Sequence, residues 1–272
     1  MPSLPLNSAS FHPSGSSILL TGTRPFYFTY DLQSGVVQQS PRGLWSSTSI
    51  NGTALSDGDR SMETCRFSDD GKLVAIAGRR GYVHLLDWSS GAGQIIGSVK
   101  MNGAVRDLAW NGSEKKELMT MSEQGEMYIW DVGSRRCRRR WKDNGAFGAT
   151  VLARGGQGNY FAIGYVGYLE YSTNHLCDME LTHSIHNSSS TGIVNVYDGD
   201  AGSSSLGSNQ VSLKAITNLT TPISSIRFDP SAQIMAIASD SKKDSLRMVR
   251  NRSDCAQMKN IKLAPFRFIF LR

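Results

Sequence analysis

Three stretches of the chain are laid out to one ruler: "SASFHPSGSSILLTGTRPFYFTYDLQSG" (8–35), "TCRFSDDGKLVAIAGRRGYVHLLDWSSG" (64–91) and "DLAWNGSEKKELMTMSEQGEMYIWDVGS" (107–134). Each has an aromatic anchor, a polar turn, a short apolar run, a second turn and a run closing on aspartate. From anchor to aspartate the distance is 20 residues for Phe11 to Asp31, 20 for Phe67 to Asp87 and 21 for Trp110 to Asp131. Repetition at constant spacing marks stacked supersecondary units, none of which can bury its apolar faces alone. Apolar residues alternate within the runs and glycine recurs inside them, so a helical reading fails and short strands with tight turns are predicted. "LQSGVVQQS", "GAGQIIGSVK" and "GSRRCRRRWK" follow the closing aspartates and are predicted as outermost strands.

The chain's 272 residues suffice for one large β domain or two smaller ones. Hydrophobic content of 39%, 27 glycines and 19% charge describe a turn-rich globular chain and exclude a disordered one. The sequence shows no membrane span, and "MPSLPLNSASF" has no basic region followed by an apolar one, so a cytosolic or nuclear location is expected. Cys65, Cys137, Cys177 and Cys255 form no C-x-x-C pair and read as reduced thiols. A net charge of +6 tilts the choice of partner towards an acidic one such as RNA.

The repeats resemble the WD40 family: "CRFSDDGKLVAIAG" is similar to that family's first two strands and turn, and "YIWD" to its signature ending. The resemblance implies an all-β propeller whose four-stranded blades face a neighbour on each side. Strand patterns are expected near residues 8–40, 64–100, 105–142, 149–164 joined to 188–198, and 222–249. The fifth unit starts at Phe228 and brings its third strand to Met248, after which "RNRSDCAQMKNIKLAPFRFIFLR" has no blade grammar. About five units are too few for the usual seven, so residues 8–249 are expected to form an incomplete, unclosed propeller, with 250–272 as a non-propeller tail.

The fourth unit departs from the ruler. Asp131 to Asp198 spans 67 residues where Asp87 to Asp131 spans 44, an excess of 23. Removing 165–187 restores "NYFAIG-SSSTGIVNVYDG", a well-formed blade hairpin. This insertion is either a functional rim loop or translated intron sequence. "GYV", "STN" and "HNS" can encode, in order, a splice donor, a branch point and an acceptor, which favours the intron; sequencing the transcript distinguishes the two. On either reading, 165–187 and 250–272 are expected outside the blade lattice.

"SVKMNGAVRDLAW", "SSTGIVNVYDG" and "ITNLTTPISSIRFDPSAQIMAIASDSKKDSLRMV" narrow the resemblance to the propeller of the U-three small nucleolar RNA-associated protein 18 family. Membership implies a nucleolar scaffold of the small-subunit processome, active in 18S ribosomal RNA processing. The implied partners are other WD40 proteins of that assembly, and the small nucleolar ribonucleoprotein with precursor ribosomal RNA, met directly or indirectly. The family also implies a polar N-terminal extension with a helicase-recruiting motif, and repeats that close the ring. Neither is seen before Ser8 or after Val249, so the chain departs from the family pattern at the two points on which helicase recruitment and ring closure depend. The alternative is a WD40 adaptor that reads a peptide or protein and has no RNA role.

An enzyme is not expected, because no nucleophile elbow, phosphate-binding loop or spaced carboxylate pair occurs. "GRRG" and "ARGGQG" sit at blade turns. His12 reads as a turn residue and His84 as a packed strand residue. His175, Cys177, His183 and His186 offer metal-ligand types at a spacing that fits no zinc motif, so no metal, cofactor or small-molecule substrate is expected. The pointed surface feature is "GSRRCRRRWKD". As a strand it would carry Arg136, Arg138 and Arg140 on one face, with Arg135, Cys137, Arg139 and Trp141 on the other and Lys142 at its end. The arginines suit phosphates and Trp141 a stacked base, which makes the strand a candidate contact for RNA or an acidic partner. The bland reading is a basic edge that discourages strand pairing. Phe11, Asp31, Phe67, Asp87, Trp110, Asp131, Asp198 and Phe228 are expected to be structural signature residues.

Overall fold

The computed structural model describes residues 5–41, 44, 61–78, 80–111, 117–142, 146–155, 160–168, 192–199, 210–243, 245–250 and 259–261. They form five four-stranded antiparallel sheets, each a meander of consecutive strands. The first sheet is β1 (Leu6–Phe11), β2 (Ser17–Gly22), β3 (Phe28–Asp31) and β4 (Val37–Gln39); the second is β5 (Met62–Phe67), β6 (Leu73–Gly78), β7 (Tyr82–Asp87) and β8 (Gln94–Lys100). The third is β9 (Val105–Trp110), β10 (Glu117–Ser122), β11 (Glu126–Asp131) and β12 (Arg136–Lys142). The fourth is β13 (Ala146–Gly155), β14 (Tyr160–Tyr168), β15 (Ile193–Asp198) and β16 (Lys214–Ile216); the fifth is β17 (Ser225–Phe228), β18 (Ile234–Ala238), β19 (Leu246–Arg250) and β20 (Lys259–Ile261). These are the five expected propeller blades, in two compact units: blades one to three, and blades four and five.

In the first unit a central blade is buried on both faces, which explains its nearly continuous apolar strands. Along β6, Val74 and Ile76 join a cluster with Leu19, Phe67 and Trp88, while Ala75 and Ala77 join one with Leu108, Trp110 and Trp130. Alternation therefore persists, but between two cores instead of between core and water.

The ruler's two ends have separate physical causes. The closing aspartates cap the turn into the outer strand: Asp31 Oδ1 accepts from the Gln33 and Ser34 amides (2.7 and 3.0 Å), Asp87 Oδ1 from Ser89 (2.9 Å), and Asp131 Oδ1 from Gly133 and Ser134 (2.9 and 3.3 Å). These backbone hydrogen bonds, Ser34's and Ser134's foremost, hold the Asp31 and Asp131 carboxyls below the usual carboxylate range. The anchors instead wedge a blade against the one before it. Trp110 Nε1 donates to the Arg66 carbonyl at 3.0 Å, and Phe67 makes an edge contact with His12. His12 indeed lies in a turn, with Nε2 3.3 Å from the Gly71 carbonyl oxygen.

In the second unit, Val151, Ala162, Val196, Ile226, Met235 and Val249 belong to one cluster shared by both blades. The fourth blade has Gly155 where an anchor would stand, and a Cβ there would come within 2.7 Å of the Phe228 ring. The next blade's anchor thus occupies the space.

Two expectations are corrected. Residues 165–187 do not leave the lattice at Tyr165: β14 continues to Tyr168, paired with a β13 that starts as early as Ala146. Tyr165 also pairs with Ile193, and its side chain is fully buried. Nor does the blade pattern stop at Arg250, which lies in β19 opposite both Ile234 and Lys259. Lys259–Ile261 completes the fifth sheet, since a three-residue ladder needs only backbone donors and acceptors and leaves no alternation to read. The rest of both segments, with His175, Cys177, His183 and His186, lies outside the described residues.

Candidate functional site

The arginine run begins in the turn between β11 and β12. Arg135 has a φ of 57°, in the left-handed region that a side chain other than glycine enters at a cost. From there it reaches across to β8 of the preceding blade, where its guanidinium donates to the Ile96 carbonyl at 3.1 Å. Its stem fills the space over Gly97, where a Cβ would come within 2.5 Å of Arg135 Cδ. Arg135 therefore ties two outer strands together.

Strict alternation along β12 fails because of a bulge. Cys137 faces Trp130 and Arg139 faces Ile129, so Arg138 is an extra residue. Arg136, Cys137 and Arg138 are consequently all exposed, as are Arg140 and Lys142, while Arg139 and Trp141 turn inward. Trp141 is 5% exposed with the Arg139 guanidinium over its ring, so it offers no face to an external base and that expectation is corrected.

Two of the arginines are already engaged. Arg138 pairs with Glu117, a buried carboxylate that also accepts from Asn111 Nδ2 at 2.6 Å. Arg140 pairs with Glu126 at 2.9 Å and lies over the Tyr128 ring, whose hydroxyl donates to the same carboxylate at 3.0 Å. Burial pushes the Glu126 carboxyl upward, but hydrogen bonds from Arg140 and Tyr128 outweigh it and hold the group below its usual value. Donating to Glu126 in turn raises Arg140. Arg136 makes no ion pair among the described residues.

This geometry changes the expected cost of neutralising the strand, which alternation alone would make negligible. Arg138→Gln strips a buried carboxylate of its cation and should destabilise the first unit by about 1–2 kcal/mol, less than a fully buried pair because Arg138 itself is exposed. Arg136→Gln should stay within about 0.5 kcal/mol. Urea unfolding of the two variants side by side checks this, and equal midpoints would contradict it.

The signature residues fall where the ruler sets them: Phe67, Trp110 and Phe228 end the first strands of their blades, and Asp31, Asp87, Asp131 and Asp198 end the third. Phe11 ends β1 but is 65% exposed, unlike Phe67 and Trp110 at 8% and 6%. Sequence reasoning missed Glu117 and Glu126, the partners of the arginines. Glu117 lies two strands from Arg138, so no local pattern signals that pairing, while Glu126 is a diagonal neighbour of Arg140 across the β11–β12 hairpin, which its spacing could have signalled. Among the described residues, no group of three or more His, Cys, Asp or Glu side chains is placed to hold a metal.

No protein-family model matches the chain. It is 28% identical over 245 residues to the "U3 small nucleolar RNA-associated protein 18 homolog" of Arabidopsis thaliana. It is 30% identical over 248 residues to the proteins of the same name from Mus musculus and Homo sapiens. Each similarity covers 90% of this chain and 37% of the relative, so the chain spans little more than a third of these relatives' length. With five four-stranded blades and this similarity along nine tenths of its length, the chain is a WD40-type β-propeller protein that resembles U3 small nucleolar RNA-associated protein 18.

Proposed function

We propose that the chain is a non-catalytic scaffold of nucleolar ribosome biogenesis, acting in small-subunit processome assembly and 18S precursor processing. The observation that carries this reading is the similarity along 90% of the chain to proteins named for their association with U3 small nucleolar RNA. Four-stranded blades suit the role, since they present many rim and edge surfaces. Its partners are other WD40 proteins of the processome, together with the ribonucleoprotein and its precursor RNA. Depleting the protein from cells should accumulate unprocessed 18S precursors while large-subunit RNA matures normally. Unchanged 18S maturation would overturn the proposal.

Direct RNA contact, where it occurs, is assigned to the exposed cations of β12. Arg136 is the principal one because Arg138 and Arg140 are partly neutralised by Glu117 and Glu126. Arg136→Gln should flatten the salt dependence of single-stranded RNA binding by about 0.7 in log–log slope. Neutralising Arg136, Arg138 and Arg140 together should change it by less than the sum for three free phosphate contacts. Titration at several salt concentrations reads both, and an unchanged slope would take RNA contact away from this strand.

A further inference from the structure

The outer strands of the second and third blades carry the same irregularity. β8 bulges opposite Leu85 and Leu86, and β12 opposite Ile129 and Trp130, in each case just before the closing aspartate. In β12 the extra residue is Arg138; in β8 it is Ile96, since Ile95 faces Leu86 and Gly97 faces Leu85. A bulge re-aims side chains that alternation would otherwise place on opposite faces. Here it leaves Ile95 and Ile96 45% and 39% exposed, side by side. Between the blades opens a cleft of about 230 Å³, lined by Leu73, Ile96, Val132, Gly133 and Arg135. Its walls are aliphatic and its rim is cationic.

Edge protection does not account for this arrangement. A strand edge guarded against pairing carries charge, whereas β8 shows adjacent isoleucines. Of the nearby carboxylates, Asp131 accepts from its own turn and Glu117 is held by Arg138 and Asn111, and neither forms an ion pair with Arg135 or Arg136 among the described residues. One guanidinium N–H of Arg135, a residue that lines the cleft, is used by the Ile96 carbonyl, which leaves other N–H groups for a ligand. Arg136 follows it without an ion-pair partner among the described residues. Aliphatic walls without an exposed ring or an amide to read a base edge suit a protein side chain better than a nucleobase.

We infer that this cleft between the second and third blades is a docking site for an acidic peptide segment of a partner protein, with an aliphatic anchor between Leu73, Ile96 and Val132 and flanking carboxylates on Arg135 and Arg136. The site shares Arg136 with the RNA contact proposed above, and Ile96, which that contact does not use, separates the two. It can exist in a protein that never touches RNA, and the RNA role can hold without it.

The test uses the full chain and a fluorescent peptide of about ten residues, with Asp and Glu flanking a central Leu-Leu pair, followed by anisotropy. Two companion probes are the same peptide with Ser-Ser at its centre and a uridine oligonucleotide of similar length. The acidic peptide should bind, and the Ser-Ser form should bind about tenfold more weakly, the ratio a buried aliphatic side chain is worth. Ile96→Glu and Arg136→Glu, both at exposed positions, should each weaken the Leu-Leu peptide at least about fivefold without shifting the thermal midpoint. Ile96→Glu should leave oligonucleotide binding no weaker than Arg136→Glu does. Three results would overturn the inference: no peptide binding at millimolar concentration, equal affinity for the Ser-Ser form, or peptide binding indifferent to Ile96→Glu. An oligonucleotide that depends on Ile96 as strongly as the peptide does would transfer the cleft to RNA.

Discussion

Trp110→Ala should destabilise the first unit by about 3–5 kcal/mol, the usual cost of deleting a large buried aromatic. Trp110 is 6% exposed, shares a cluster with Leu108, Leu118 and Trp130, and gives its indole N–H to the Arg66 carbonyl of the preceding blade. The same change at Phe11 should cost less than about 1 kcal/mol, because that ring is already 65% exposed. In sequence the two residues hold the same place on the ruler, so the contrast separates the repeat pattern from the packing it produces. Hydrogen exchange of the β9–β11 amides under increasing urea would measure both variants. Equal losses of protection would show that the anchor position, and not its contact with the blade before it, sets the cost.

Acidification should weaken the same unit through His84. This residue lies on β7 between Ile76 and Ser98, and burial lowers its pKa from 6.5 to about 4. The unfolded chain then binds a proton more readily than the folded one between those two values, so stability is complete above about pH 6.5 and falls as the pH drops towards 4. The loss should reach on the order of 2–3 kcal/mol by pH 4 and level off over about the next pH unit. His84→Gln should flatten this part of the profile. The capping carboxylates Asp31 and Asp131, held below their usual values, add their own losses at lower pH. Chemical denaturation from pH 7 to pH 4 measures the effect, and an identical slope in the variant would assign it elsewhere.

The regular parts of the blades were legible because two local devices write them into the chain. Period-two alternation marks strands packed between neighbours, and an aspartate that caps its own turn marks where the third strand ends. What the ruler could not carry was register. A bulge has no residue signature of its own, since it is set by what the neighbouring strand and blade require, so the facing of Arg136, Arg138 and Arg140 could not be read from spacing. The pairing of Arg138 with Glu117 crosses the whole width of β11 and depends on that bulge. Gly155 hid the fourth unit's anchor position for a related reason, being small where the Phe228 ring of the next blade needs the space. Where β14 runs on to Tyr168, the partner is an unusually long β13, and a strand's length is decided by its partner as much as by its own residues.

The central proposal is that this chain works within the ribonucleoprotein machinery of small-subunit assembly. Its most direct test is affinity purification of the tagged full chain from growing cells, with U3 small nucleolar RNA and 18S precursor RNA quantified against an unrelated small nucleolar RNA and an untagged control. The account predicts selective recovery of U3 and the precursor with the chain. Recovery no higher than in the untagged control, while other protein partners are retained, would contradict it and identify the chain as a protein-binding adaptor without an RNA-associated role.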